Sequence, residues 1–181
     1  TYPSQSDFSI AIGNEGVGVV KAVGSEVDDV EVGQHVITIT TPGSWCGERI
    51  VSRDRLVLIP EKISFEQASM LTVNPPTGWL MLHEFIGLRP GEWLVQNAAN
   101  SIVGRSVIHF ARKLGIKTVN IVRREELIRP LMNEGADVVV LDRDNFSQEV
   151  KSRTDGADIR LGFNAVGGEN AKEMAKCLAK N

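Results

Sequence analysis

No stretch of this sequence is apolar for the roughly 20 residues that a membrane-spanning helix needs. No tract of lysine and arginine offers a nucleic acid the clustered positive charge it requires, and the formal net charge is −3. Neither a membrane nor a nucleic acid is therefore an expected partner. Cysteine is nearly absent. Cys46 and Cys177 stand far apart without C-x-x-C spacing, so neither a disulfide framework nor a multi-cysteine zinc site is indicated, and a reducing compartment fits best. The histidines His35, His83 and His109 show no metal-ligand spacing and read as packed or surface residues. Tyrosine occurs once, as Tyr2. The chain opens on Thr1 without a signal or transit segment and closes on Asn181 within a helical pattern, so both ends are expected to continue in a longer protein.

What is present suits a globular protein. With 181 residues, 42% of them hydrophobic and 24% charged, the chain can bury a core in one or two domains. Its organising stretch is residues 93–124, WLVQNAANSIVGRSVIHFARKLGIKTVNIVRR. The short apolar run Trp93-Leu94-Val95 lies between Pro90-Gly91 and a small polar cluster, as a buried parallel strand should. Val103, Val107, Ala111 and Leu114 then recur at helical spacing until Gly115, and residues 118–122 form a second strand. Strand, turn, helix and strand in that order make half of a mononucleotide-binding unit. The turn departs from G-x-G-x-x-G, since its three small positions are Ala99, Ser101 and Gly104. Unpaired amides and the helix dipole still suit a phosphate there. A structural turn of an α/β protein is the competing reading.

About twenty residues beyond the turn, NAD-binding folds place an acid for the ribose hydroxyls. This chain has Arg123 and Arg124 instead, followed by Glu125 and Glu126. Guanidinium forks match the oxygens of a 2′-phosphate, so the expected cofactor is NADPH rather than NADH. A pair of solvated arginines at a strand end is the alternative.

Upstream, residues 9–60 are rich in β-branched residues and glycine, with strands expected at 17–23, 34–40 and 56–59. Ser64 opens a helix that Pro75-Pro76 interrupts, and a second helix is expected over 77–85. Beyond Arg124 the pattern predicts helices over 125–133, 145–153 and 169–179 alternating with strands over 137–141 and 159–166. Such alternation means a doubly wound parallel sheet with right-handed crossovers. Gly167-Gly168 falls on the carboxyl edge of that sheet, where it either faces the nicotinamide end of a cofactor or is a turn before a helix.

Several motifs together resemble the medium-chain dehydrogenase/reductase superfamily, and within it the 2-enoyl thioester reductases of mitochondrial fatty-acid synthesis. They are Gly13-Asn14-Glu15-Gly16-Val17 with Gly24, Gly43-Ser44-Trp45, Val73-Asn74-Pro75-Pro76-Thr77, the long run from Gln96 to Gly104, Asn120-Ile121-Val122-Arg123, and Asn164-Ala165-Val166-Gly167-Gly168. The resemblance implies a Rossmann sheet over residues 75–181, incomplete here, preceded over 1–74 by part of a β-rich GroES-like catalytic domain. Where the zinc alcohol dehydrogenases of the superfamily carry a ligand histidine in Gly-His-Glu, this sequence has Asn14, and an amide is a poor zinc ligand. A zinc-free reductase follows.

Without a metal to polarise a carbonyl, the expected substrate is a carbon–carbon double bond already conjugated to a thioester, carried on acyl carrier protein or coenzyme A. The resemblance gives Tyr2 the role of proton donor, and the competing reading is a tyrosine at a frayed terminus. Trp45 falls beside the substrate pocket, with a core aromatic as the alternative, and Asn74 falls in the cofactor cleft. Asn100, Ser101, Ile102, Val103 and Gly104 would line the pyrophosphate, and Arg123 and Arg124 the 2′-phosphate. Many relatives show Arg-Asp-Arg where this chain has Arg123-Arg124-Glu125, which leaves open which arginine makes the main contact. The resemblance also implies a homodimer of the full-length protein, located in the mitochondrial matrix, or in the cytoplasm of a bacterium. The other functions in view are a zinc-free quinone or alkenal reductase and a non-catalytic NADPH-binding relative.

Overall fold

A computed structural model describes residues 12–40 and 43–180; Tyr2 lies outside them. The chain divides into two compact units, Thr1–Pro76 and Thr77–Asn181.

In the first unit, strands β1 (Val17–Val19), β2 (His35–Thr38) and β3 (Leu56–Ile59) pair antiparallel in that order. Register is set by Val17 opposite Ile37 and His35 opposite Ile59. The first two strands are shorter than the β-branched runs predicted. Pairing ends with Val19 opposite His35, and Val20 continues the connection only through single backbone bonds with Gln34 and Gly33. Ile37, Ile59 and Ala68 form a small core under this sheet. Helix α1 (Phe65–Ser69) begins at Ser64, as predicted. The Ser64 hydroxyl accepts from Gln67 N, and the Gln67 side chain reaches back to Ser64 N, a reciprocal capping box.

Helix α2 (Asn74–His83) corrects the sequence reading, which broke the chain at Pro75-Pro76 and began the helix at Thr77. Both prolines fall in the first turn. The amides they lack would have had no intrahelical partner there, and their fixed φ already suits a helix.

The second unit holds four parallel strands, β4 (Trp93–Gln96), β5 (Lys117–Val122), β6 (Val138–Leu141) and β7 (Ile159–Phe163), in the order β6-β5-β4-β7. Helices α3 (Ile102–Leu114), α4 (Ile128–Glu134), α5 (Phe146–Arg153) and α6 (Gly168–Ala175) connect or follow them. Side-chain alternation along β4 shows how both faces are covered. Val95 joins Val119, Ile121, Val140, Phe146, Val150 and Met174 in one cluster, which includes residues of α5 and α6. Leu94 joins Leu82, Val107, Ala111 and Leu161 on the opposite side, with residues of α2 and α3. Full burial of such side chains stabilises by about 1.5–3 kcal/mol each, so this sandwich dominates the stability of the unit.

Apart from α2, three boundaries of this unit differ from prediction by more than a residue, the simplest being the last helix, α6, which ends at Ala175 rather than Ala179. The helix expected from Glu125 begins as a 3-10 turn, Glu125–Leu127, before α4 starts at Ile128. Strand β7 ends at Phe163, not Val166, because the Asn164 carboxamide oxygen accepts from Val166 N (3.2 Å) and Gly167 N (3.0 Å) and folds these residues into a turn.

Candidate functional site

The carboxyl ends of β4, β5, β6 and β7 share one edge, and the turn from β4 into α3 is its centre. Ser101 caps α3, its hydroxyl accepting from Gly104 N at 3.0 Å, while Ser101 N donates to Ala98 O at 2.9 Å. The tight path places Ala98 at φ 47°, a left-handed conformation that costs an alanine about 1 kcal/mol. Gly104 is where helix and turn touch. A Cβ there would lie 2.7 Å from Ala99 O and 2.8 Å from Ala99 Cα, both backbone atoms, so only glycine permits this approach.

Beneath the turn runs a buried polar chain. Gln96 Nε2 donates to Gly104 O (2.9 Å) and to Asn120 Oδ1 (2.8 Å). Asn120 Nδ2 in turn donates to Thr118 Oγ1 (2.9 Å) and Val138 O (3.1 Å). Because Gly104 O and Val138 O can only accept, both amides have one possible orientation. The chain locks the first turn of α3 to three strands, β4, β5 and β6.

Asn97 performs the matching task towards β7. It is 4% exposed, and its Oδ1 accepts from Ala165 N at 2.6 Å. That backbone donor fixes the orientation of the amide, which leaves Nδ2 to donate to Asn164 Oδ1 (2.7 Å) and Asn170 Oδ1 (2.6 Å). Asn170 Nδ2 is buried without a partner. Asn97 therefore staples the turn after β4 to the turn and helix after β7. The motifs containing Asn97 and Asn164 carry no sequence signal for this role, and neither does Asn170.

Along this edge lies a cavity of about 360 Å³, lined by Asn97, Ala98, Asn100, Ser101, Ile121, Val122, Arg123, Asp142, Ala165, Val166 and Asn170. Its size falls in the range of small-molecule sites, about 300–1,000 Å³. Asn100, Ser101 and Arg123 thus come together. Ile102 and Val103 form the first turn of α3, and Gly104 lies under it; none of these three lines the cavity. The two arginines differ. Arg124 Nε sits 3.4 Å from Glu126 Oε1, whereas the Arg123 guanidinium has no hydrogen bond or ion pair among the described residues and borders the cavity. A helix N-terminus, a turn of small residues and an unpaired guanidinium are what a phosphorylated dinucleotide requires, so the residues present fit that cofactor.

In the first unit, the segments bearing the other predicted residues are joined by backbone bonds. Gly13 O accepts from Gly43 N (2.7 Å) and Ser44 N (3.2 Å), and Ile12 O accepts from Trp45 N (2.9 Å). Ser44 Oγ donates to Glu15 O at 2.6 Å, and Asn74 Nδ2 donates to Glu15 Oε1 at 2.9 Å. The Trp45 ring rests against the bare Cα of Gly13 and is 73% exposed, so it is not a core aromatic of this unit. A separate cavity of about 600 Å³, lined by Val17, Ser44, Cys46, Arg49, Ile50 and Leu56 among others, includes neither Trp45 nor Asn74. Among the described residues no group of three or more histidine, cysteine or acidic side chains could hold a metal ion.

Residues 1–61 match the family model of the alcohol dehydrogenase GroES-like domain. The mitochondrial enoyl-acyl-carrier-protein reductase of Xenopus tropicalis is 40% identical over 184 residues, covering 98% of this chain and 53% of that protein. The chain thus spans about half the length of the curated relatives it matches. The solved mitochondrial 2-enoyl thioester reductase heterodimer of Candida tropicalis superposes with a TM-score of 0.84 at 27% identity, covering 95% of this chain and 54% of that one. One member of that pair, solved with NADP and crotonyl-CoA, gives 0.83 at 26% identity with the same coverage, 95% and 54%. The Escherichia coli quinone oxidoreductase, solved with NADPH, gives 0.80 at 25% identity, covering 99% and 55%. The chain is thus similar to the alcohol dehydrogenase GroES-like domain over residues 1–61 and to the mitochondrial enoyl thioester reductases over nearly its whole length.

Proposed function

We propose that the protein reduces trans-2-enoyl thioesters, on acyl carrier protein or coenzyme A, to saturated acyl thioesters with NADPH. The observation that carries this reading is the unpaired Arg123 beside a capped helix N-terminus on the carboxyl edge of the parallel sheet. The kinship to enoyl reductases supplies the substrate class.

In this reading the amides opening α3, with Asn100 and Ser101, hold the pyrophosphate, and Arg123 holds the 2′-phosphate. Arg124 has the lesser part. NADPH, when bound, supplies the hydride taken up at the β carbon. Tyr2 gives a proton to the α carbon, its phenol acting as general acid. Trp45 flanks the substrate, and the Asn74 amide, held by Glu15, serves the cofactor cleft. Residues 1–74 and 75–181 are the catalytic and dinucleotide-binding parts. The working form is a homodimer in the mitochondrial matrix.

Crotonyl-CoA-dependent loss of NADPH absorbance tests the activity, with a quinone assayed beside it because a quinone oxidoreductase shares the fold. The full-length protein should turn over crotonyl-CoA faster than the quinone, and the reverse would favour the quinone reductase reading. Tyr2→Phe should retain NADPH binding and lose turnover by about 100-fold or more; unchanged turnover would remove Tyr2 from the mechanism.

A further inference from the structure

The cavity extends further along the sheet edge than phosphate binding needs. From the turn after β7 it passes the phosphate turn after β4, reaches Arg123 at the end of β5, and continues to Asp142, directly after β6. Asp142 N is held by Val122 O at 2.8 Å, which fixes the residue beside the end of β5. Its carboxylate, like the Arg123 guanidinium, has no hydrogen bond or ion pair among the described residues. A free carboxylate in a cavity that admits phosphates repels them, so a phosphate is not its partner.

With pyrophosphate over α3 and the 2′-phosphate at Arg123, the only part of the dinucleotide left to reach the next strand is the base. Adenine carries an exocyclic amine, a pure donor, and an ionised carboxylate is a pure acceptor. Resting on the cofactor assignment above, we propose that Asp142 determines base specificity in this site, its carboxylate accepting a hydrogen bond from the adenine amine. The site then reads the base with Asp142 and the 2′-phosphate with Arg123, through groups of opposite charge on adjacent strands.

The test compares NADPH with its hypoxanthine analogue, in which a carbonyl oxygen replaces the amine, by titration of the purified full-length protein. The wild type should bind NADPH about tenfold or more tightly than the analogue, since the analogue removes a charge-assisted bond and sets oxygen against carboxylate. Asp142→Asn presents an amide able to serve either base, so it should bind the two nearly alike while preferring NADPH over NADH as the wild type does. Equal binding of both bases by the wild type would overturn the proposal while leaving the cofactor assignment standing. Tighter binding of both by Asp142→Asn, with the base preference retained, would overturn it too and make Asp142 merely a repulsive charge. No NADPH binding at all would overturn the cofactor assignment and this proposal together.

Discussion

Replacing Gly104 with alanine separates two physical effects of opposite sign. In an ordinary helix position the change is stabilising by about 1 kcal/mol, because alanine loses less backbone entropy. Here the new methyl would stand 2.7 Å from Ala99 O and 2.9 Å from Ala99 C, and ordinary contact begins at 3.4 Å. The backbone of the turn cannot rotate out of the way, so α3 must retreat by roughly 0.7 Å. The same movement draws Gly104 O away from Gln96 Nε2, now at 2.9 Å, to a distance where the bond is lost. Overpacking costs about 1–3 kcal/mol, and a buried amide deprived of an acceptor costs about 1–3 kcal/mol more. Set against the gain in propensity, the net loss is about 1–5 kcal/mol. For a chain of this size that lowers Tm by roughly 2–20 °C, measurable by circular dichroism, and NADPH affinity should fall with it because the amides at the start of α3 move. Gly18→Ala is the control, since nothing lies within 4 Å of its added methyl. A Gly104→Ala protein that melts at or above the wild-type temperature would refute the close contact of helix and turn.

Arg123→Ala should abolish most of the preference for NADPH over NADH, whereas Arg124→Ala, which releases only an exposed pair with Glu126, should preserve it; paired titrations of the two variants decide. Asn97→Asp sets a carboxylate oxygen against Asn164 Oδ1 and Asn170 Oδ1, and should destabilise by about 3 kcal/mol in a denaturant titration. Burial, reinforced by the Glu173 carboxylate, pushes the Cys177 thiol up to about 11 from its ordinary 9.0. The stabilisation from keeping that thiol neutral is intact below pH 9.0 and declines as pH rises through about 11, because the unfolded thiol ionises first. At neutral pH a thiol reagent should therefore label exposed Cys46 faster than half-buried Cys177, as mass spectrometry of the labelled protein would register.

The strands of the second unit were legible because a parallel strand covered on both faces leaves an unbroken apolar run, as in Leu94-Val95 and Val138-Val139-Val140. Ser64 and Gly115 declared helix ends through local chemistry, capping in one case and a left-handed φ of 71° in the other. Pro75-Pro76 misled because proline stops a helix or starts one according to its position, and here the helix begins at Asn74, which puts both prolines in its first turn. The staple at Asn97 was illegible for another reason. Its partners lie 67, 68 and 73 residues away, and an asparagine in a turn ordinarily bonds to its own backbone. Asp142 was likewise invisible, since only the order β6-β5-β4-β7 sets it beside the end of β5. The inequality of Arg123 and Arg124 came from a single neighbour, Glu126, whose reach a sequence does not report.

The most direct test of the account is a fluorescence titration of the full-length protein with NADPH and, separately, NADH. An unpaired Arg123 at the cavity should make NADPH bind about 10–100-fold more tightly, the value of one or two charge-assisted hydrogen bonds. Equal affinities, or tighter binding of NADH, would contradict it.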